Sequence, residues 1–512
     1  MKKYFFYSLI SGLFFFISWP PNLSFLVFFI FFSFIPLFLI ESDLNRKNKS
    51  IFWIFPFSYF SFFIFNFSTT FWVEKSEPAI IGEGFFAVLC NSLFMATTFL
   101  LYCIFCKYIV KYFSNYFRVK FLRIFIFSAF WIGFELLHMN WDLNWPWLTL
   151  GNVFSDNPML IQWYSYTGVL GGTVWILILN YVFFQTYLNF PYKNRLTLKD
   201  HLILVILFFL PFSFSVVMYY NFYDEGDGIN VLVTQPNIDP HDLQVFDPAY
   251  IYDLINDNLN DSIDYVIFPE SFFPHESYYK YLTTPFFKEY KNINFIFGAP
   301  VKRGIEKYNS AIQLHFDELN GENLQYHYKS KLVPGPELTP FSSSLKPLLD
   351  FTGLSLQLGG LTKGSSANVF YSADSLYCVA PIICYESIFP SYVRSFVKKG
   401  AQVIFIITND GWWGDSKGRV QHNSYARIRS IETRRYVVRS ANTGISSVID
   451  PKGNFLYKME HNMKGSFVQK IPFLNDKTFY VKYGNILIFF YLASFIFLIP
   501  KIRFKQTKIK NI

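Results

Sequence analysis

Charge is what this sequence has least of. Only 16% of its 512 residues are Asp, Glu, Lys or Arg, where a soluble globular domain carries about 25%. A chain soluble over its whole length is therefore excluded. Cysteine is scarce too. Cys90, Cys103, Cys106, Cys378 and Cys384 form no dense, even framework, and none has a His partner at metal-ligand spacing. That excludes a disulfide-stapled scaffold and a zinc module. Cys103 and Cys106, three apart, share a helix face and read as packing residues.

What fills the chain instead is phenylalanine, 66 in all, much of it in long apolar runs. A bilayer-crossing helix needs about 20 mostly apolar residues. Eight runs approach this: 4–19, 23–40, 51–73, 83–106, 121–139, 161–188, 202–220 and 484–500. The first follows Met-Lys-Lys and mimics a signal peptide. Its end, WPPN, lacks a small-residue cleavage site and a second run follows at once, so it is kept as a span. Residues 221–482 have ordinary globular composition. The expected organisation is a membrane domain of seven spans (1–220), an inserted globular domain (221–482), and an eighth span with a basic tail (483–512).

The net charge of +9 points to nucleic acid only if its placement is ignored. With the N-terminus inside, alternate loops collect Lys2 and Lys3; Arg46, Lys47 and Lys49; Lys107, Lys111, Arg118, Lys120 and Arg123; Lys193, Arg195 and Lys199; and Lys501, Arg503, Lys505, Lys508 and Lys510. The short outer loops hold only Lys75. This asymmetry orients a membrane protein, with both termini cytoplasmic and 221–482 on the outer face. No ATP or acyl-CoA is supplied there, so a group transfer must draw on a donor already present. A membrane lipid is the obvious one. Glu83 and Glu135 lie near or inside apolar runs, where a carboxylate is costly. Helix-end positions touching headgroups are the simpler expectation for both. The stretch WDLNWPWLTLG (141–151) suits the interface, or a re-entrant lip at a lipid site.

In the globular segment, INVLVTQPN (229–237), DYVIFPE (264–270), NFIFGAP (294–300) and AQVIFIITND (401–410) are apolar runs that end in polar or turn residues. Such runs suit buried strands of an α/β arrangement, whose active residues gather at strand ends. Glu270 ends one run and Cys384 ends another, SLYCVAPIIC. Between them YHYKSKLVPGPE (326–337) carries Lys329, Lys331 and Glu337. A thiol is a strong nucleophile but only a few per cent is thiolate at pH 7. A carboxylate can take its proton, and a lysine cation can stabilise an oxyanion. Spacing alone does not single out this trio.

Ordered motifs do. FPES with Glu270, YKSKLVPGPE with Lys329 and CYES with Cys384 stand in the order Glu–Lys–Cys. They are joined by VTQPNIDP (233–240), YNSA (308–311), TNDGWWG (408–414) and the stretch 421–453. The globular segment resembles the nitrilase superfamily. Nearly the whole chain resembles its membrane branch, the apolipoprotein N-acyltransferase family. The resemblance implies eight spans and an αββα sandwich. It implies Glu270 as general base, Lys329 as oxyanion stabiliser and Cys384 as nucleophile, with Glu337, Tyr385 and Glu386 supporting the site. Lys329 rather than Lys331 is chosen because the family pattern is Lys-x-His-Leu, and Lys331 stands at the His. Pro334-Gly335-Pro336-Glu337 departs from the family's Pro-Phe-Gly-Glu. Phe246 stands about where a Trp is frequent. Trp412 and Trp413 read equally as core packing or as a lipid-facing loop.

The implied reaction takes an acyl group from a membrane phospholipid, through a Cys384 thioester, to the α-amino group of the diacylglyceryl-cysteine of an apolipoprotein. It implies no metal and no cofactor, a monomer, and the periplasmic face of a bacterial inner membrane. Two rivals remain: a membrane-tethered carbon-nitrogen hydrolase with the same triad, and a lipoprotein-binding scaffold without catalysis. The first would use water as acceptor and an open polar pocket; the second would keep its function after Cys384→Ala.

Overall fold

The structure is a computed structural model that describes residues 1–75, 82–108, 116–189, 198–224, 226–239, 248–284, 293–317, 321–341 and 359–494. Its first part is helical: α1 (Lys2–Ser18), α2 (Ile35–Arg46), α3 (Ile54–Thr70), α4 (Glu83–Tyr108), α5 (Tyr116–His138), α6 (Tyr164–Thr167), α7 (Val169–Asn189) and α8 (Leu198–Tyr220). Among the described residues, five stretches are helical, long and apolar enough to cross a membrane: Ser24–Arg46, Ile51–Lys75, Gly84–Tyr108, Val169–Leu188 and Leu202–Tyr220. The run at 161–188 does not start as one helix. Gly168, at φ +65°, separates the single turn α6 from α7. Of the last run, the described residues show one short helix, Ile486–Ala493.

Polar residues sit inside these apolar helices by bonding back to their own backbone. Ser8 donates to the Tyr4 carbonyl (2.9 Å), Ser92 to Val88 (2.6 Å) and Thr70 to Asn66 (2.8 Å). Small residues also set the packing. Any side chain at Gly12 would meet the Ser61 carbonyl at 2.7 Å, so α1 and α3 touch closely there. Ser61 donates to Ser11 (2.8 Å), which donates to the Ser33 carbonyl (2.7 Å).

The globular part holds two six-stranded sheets. Chain order gives β1 (Gly228–Gln235), β2 (Tyr265–Ile267), β3 (Asn294–Arg303), β4 (Glu306–Asp317), β5 (Gly321–Tyr328), β6 (Phe370–Tyr371), β7 (Cys378–Ile383), β8 (Val403–Thr408), β9 (Tyr436–Ala441), β10 (Ser446–Ile449), β11 (Phe455–Met459) and β12 (Gly465–Pro472). One sheet runs β12-β1-β2-β3-β4-β5 and the other β11-β10-β9-β8-β7-β6. The centre of each is parallel: β1-β2-β3 and β7-β8-β9. Strand alternation sends Val231, Val233 and Ile267 into one core with Val379, Ile383 and Phe405 between the sheets. The opposite faces are covered by helices. Leu232 and Val266 pack with Ile251 and Ile255 of α9 (Pro248–Ile255). Ile382 and Ile404 pack with Val393 and Phe396 of α10 (Pro390–Lys398).

Helix α11 (Lys417–Thr433) joins the two parts. Gln421, buried, accepts from the indole N–H groups of Trp72 (3.1 Å) and Trp147 (2.8 Å) and donates to the Pro20 carbonyl (2.9 Å). Tyr425 accepts from Trp19 (3.0 Å). Glu432 accepts the Val169 backbone N–H (2.8 Å) and so sets a carboxylate at the N-terminus of α7, where the helix dipole favours it. Replacing Gln421 by Leu leaves two buried indole N–H groups without an acceptor, at about 1–3 kcal/mol each. The expected outcome is a clear fall in the thermal midpoint of the detergent-solubilised protein, with Gln421→Glu falling less.

Candidate active site

The site assembles at strand ends. Glu270 follows β2, Cys384 ends the run that forms β7, Asn409 and Asp410 follow β8, and Lys329 follows β5. Lys329 is the centre. Its ammonium is buried and donates to Glu270 Oε1 (3.0 Å) and Glu337 Oε1 (2.7 Å). Burial alone would favour the neutral amine. Glu270, Glu337 and Cys384 outweigh it and hold the Lys329 pKa well above the ordinary lysine value. Asn309 Nδ2 donates to the same oxygens of Glu270 (2.8 Å) and Glu337 (3.3 Å). The Asn409 backbone N–H takes Glu270 Oε2 (3.0 Å). Glu337 reaches Lys329 because Gly335, at φ +92°, turns the 334–337 loop back on itself. Its second oxygen accepts the Val333 N–H (2.8 Å).

Cys384 is buried and left-handed, at φ +47°. A non-glycine residue there costs about 1–3 kcal/mol and persists only when its surroundings hold it. Its carbonyl accepts from the Ser387 hydroxyl (2.7 Å) and lies 3.2 Å from His422 Nε2. Burial pushes the thiol pKa well above its usual value. Glu270 raises it further, Lys329 lowers it, and Asp410 raises it. The group rests as a thiol, and a base must take its proton.

Glu386, expected to support the site, is fully buried. One oxygen accepts the Ser330 N–H (2.6 Å). The other accepts the Ile383 N–H (3.0 Å) and meets His327 Nε2 (3.0 Å). It therefore ties the Lys329 strand end to the Cys384 turn. Tyr385 is also buried, and its hydroxyl donates to the Asn144 carbonyl (2.9 Å) in the tryptophan-rich segment. Lys331 points elsewhere than Lys329: its ammonium donates to the Met139 carbonyl (3.3 Å) and lies over the Phe389 ring. Trp413 packs on Trp72 (5.0 Å) and Trp147 (5.7 Å), against the helical part, and Trp412 is half-buried. Phe246 and the side chain of Glu83 lie outside the described residues.

Glu135 departs from the helix-end expectation. It is buried and accepts the Leu150 N–H (2.8 Å), the Trp131 indole (3.2 Å) and the Thr173 hydroxyl (2.8 Å). It anchors the tryptophan segment to α5 and α7.

Cys384, Asp410 and His422 place their ligand atoms within 4.8 Å of one another, a spacing an ion could use. Arg439 already supplies a cation there. Its guanidinium bonds Asp410 and lies 3.1 Å from His422 Nδ1. A metal would have to displace that fixed charge, so the donor set fits a brace better than an ion site.

Two family models match the chain. Residues 251–473 match the carbon-nitrogen hydrolase model, and residues 11–182 match the apolipoprotein N-acyltransferase N-terminal domain. The chain is 29% identical over 399 residues to an apolipoprotein N-acyltransferase of Chlorobaculum tepidum, covering 70% of this chain and 72% of that one. It is 29% identical over 449 residues to that of Haemophilus influenzae, covering 83% and 81%. The chain belongs to the apolipoprotein N-acyltransferase family. A solved CN-hydrolase superfamily protein from Xanthomonas campestris is 16% identical, covers 53% of this chain and 97% of that one, and has a TM-score of 0.34.

Within this family member the geometry adds Asn309, Asn409, Asp410 and His422 to the residues picked out by sequence. Asn309 stands in YNSA, Asn409 and Asp410 in TNDGWWG, and His422 in the 421–453 stretch. The motifs were visible; which of their residues faces the thiol was not.

Two measurements follow from these charges. Glu270 raises the Cys384 pKa, so Glu270→Gln should move the midpoint of iodoacetamide alkylation to lower pH. Acyl transfer should nevertheless fall by about 10²–10⁴. An alkylation midpoint that stays or rises would contradict the assigned proximity. Burial pushes the Glu386 pKa up, but His327 and the Ile383 and Ser330 N–H groups outweigh it and hold it low. A depressed carboxylate stabilises above its unfolded pKa, about 4.3, and that stability is lost as pH falls through the folded value. Glu386→Gln should therefore flatten the loss of thermal stability below about pH 4.3 relative to the unsubstituted protein.

Proposed function

We propose that the chain moves a fatty acyl group from a membrane phospholipid, through a thioester on Cys384, to the α-amino group of an apolipoprotein's diacylglyceryl-cysteine. Family membership supports the lipoprotein N-acylation role. The observation that carries the mechanism is the single buried ammonium, Lys329, held between two carboxylates beside a buried thiol.

Glu270 takes the Cys384 proton and the sulfur attacks an ester carbonyl of the lipid. Lys329 has three N–H donors, two of them used on Glu270 and Glu337; the third is free for the oxyanion. The tetrahedral adduct collapses, Glu270 returns the proton to the leaving alcohol, and a lysophospholipid departs. The acceptor amine then attacks the thioester and gives its proton to Glu270. The amide forms, and the thiolate leaves and is reprotonated. This is a ping-pong scheme. Glu337 and Asn309 fix Lys329 and Glu270, and Glu386 and Tyr385 hold the nucleophile's turn; these four position rather than react.

The reading places residues 1–220 in the membrane as seven spans, the catalytic domain at 221–482 on the periplasmic face, and an eighth span with a cytoplasmic tail at 483–512. Five long apolar helices and the one-sided Lys and Arg distribution support it.

Incubation with a defined phospholipid and no acceptor should add one acyl mass to the intact protein. The adduct should be labile to hydroxylamine and absent from Cys384→Ala. Adding a diacylated lipopeptide should discharge it. Absence of both the adduct and the lysophospholipid would sink the lipid-donor mechanism. Lys329→Met should slow acylation by about 10²–10³.

A further inference from the structure

Between α4, α5 and the tryptophan segment lies a cavity with room for about one water-sized group. Asn91, Phe134, Glu135, His138, Trp145 and Thr149 line it. Among the described residues, three of these side chains are buried with atoms left unpaired: Asn91 Oδ1, Thr149 Oγ1 and both ring nitrogens of His138 have no hydrogen-bond partner. The amide nitrogen of Asn91 is engaged with Asn66 (2.6 Å), so what Asn91 has left to offer is its acceptor. Glu135 Oε2 takes only the Thr173 hydroxyl, which leaves lone-pair capacity. Among the described residues, Glu135 is partnered by Leu150, Thr173 and Trp131, none of them a cation.

The lining is thus rich in acceptors, carries one carboxylate, and has aromatic walls. His138 and Thr149 can each donate as well as accept, but the Glu135 carboxylate and the Asn91 oxygen only accept, so the complement is small, positively charged and donates from several N–H groups. A primary ammonium meets each condition, and the Trp145 and Phe134 rings suit a cation. The cavity also adjoins the reaction centre. Trp145 stacks on Tyr385 at 6.4 Å and 29°, and Tyr385 follows Cys384 in the chain.

We propose that this cavity binds the primary ammonium of a lipid substrate, from the headgroup of an aminophospholipid donor or from the acceptor's α-amine before it attacks. The inference rests on the acyl-transfer reading above and adds a subsite to it.

The test is Asn91→Leu combined with Thr149→Val, which removes two of the three unpaired side chains and keeps the carboxylate that anchors the tryptophan segment. Acyl-enzyme formation is timed by intact mass with phosphatidylethanolamine or phosphatidylglycerol of identical chains, without acceptor. Discharge by a diacylated lipopeptide is timed separately. A loss of about tenfold, the worth of one charge-assisted hydrogen bond, is expected in one arm. If it appears with phosphatidylethanolamine and not phosphatidylglycerol, the headgroup amine is the ligand. If it appears in discharge alone, the ligand is the acceptor amine. No change in any arm means the cavity holds water only, and equal slowing in all arms means a packing defect; either overturns the proposal. If the unsubstituted protein forms no acyl-enzyme from either lipid, the acyl-transfer reading has failed and this subsite falls with it.

Discussion

A buried ammonium sets the terms for the rest of the site. Lys329 is all but closed to water, and an unpaired cation there would cost several kcal/mol. One carboxylate would balance its charge; the structure supplies two, Glu270 and Glu337, on the same nitrogen. The cluster is therefore richer in carboxylate than in cation, and the thiol beside it feels that excess. Burial is the larger reason that the Cys384 pKa stays high despite a neighbouring lysine, and the Glu270 charge adds to it. Removing either carboxylate would change both protonation and position, so the three charges act as one unit.

That unit works only if the thiol cannot drift. Cys384 sits in a strained left-handed turn, and two buried braces hold it from opposite sides. Glu386 binds backbone N–H groups of both Ile383 and Ser330, fixing the turn to the lysine's strand end. On the other side Arg439 bonds Asp410, which orients His422. His422 Nε2 meets Ser387 Oγ (2.8 Å), and Ser387 donates to the Cys384 carbonyl. Burial and Arg439 lower the His422 pKa, and Asp410 only partly offsets them. The imidazole Nδ1 lies against both Asp410 Oδ1 (3.0 Å) and the Arg439 guanidinium (3.1 Å), and its Nε2 faces the turn. Both braces are buried at strand ends.

Much of this was legible in the sequence. Apolar runs ending in Glu270 and Cys384 located strand ends, and the ordered motifs named Glu270, Lys329, Glu337 and Cys384, which the fold brings together. Three features were not legible, each for a physical reason. The partners of Glu386, a residue the resemblance had placed among those supporting the site, lie on the opposing strand end, far away in sequence. Glu135 resembles a helix-end carboxylate until Leu150 and Thr173 are seen to donate to it, and those contacts depend on helix packing that periodicity does not encode. The span at 161–188 reads as one apolar run because hydropathy does not register the break that Gly168 makes.

The helical part does more than tether the globular domain. In the proposed reaction a thioester has to meet an amine before it meets water, so the walls around Cys384 would have to be dry without leaving polar atoms stranded. Tryptophan answers both needs, with a large apolar body and one N–H to satisfy. Trp72, Trp145 and Trp147 come from the helical part and Trp413 from the globular domain, and they pack ring to ring beside the site. Two of their N–H groups end on Gln421, a residue of α11, so the aromatic wall and the docking contact are the same structure. Tyr385 extends this across the joint by donating to Asn144 next to Trp145. A globular domain cut from its helices would lose one wall of its own site, and with it the exclusion of water that separates transfer to an amine from hydrolysis.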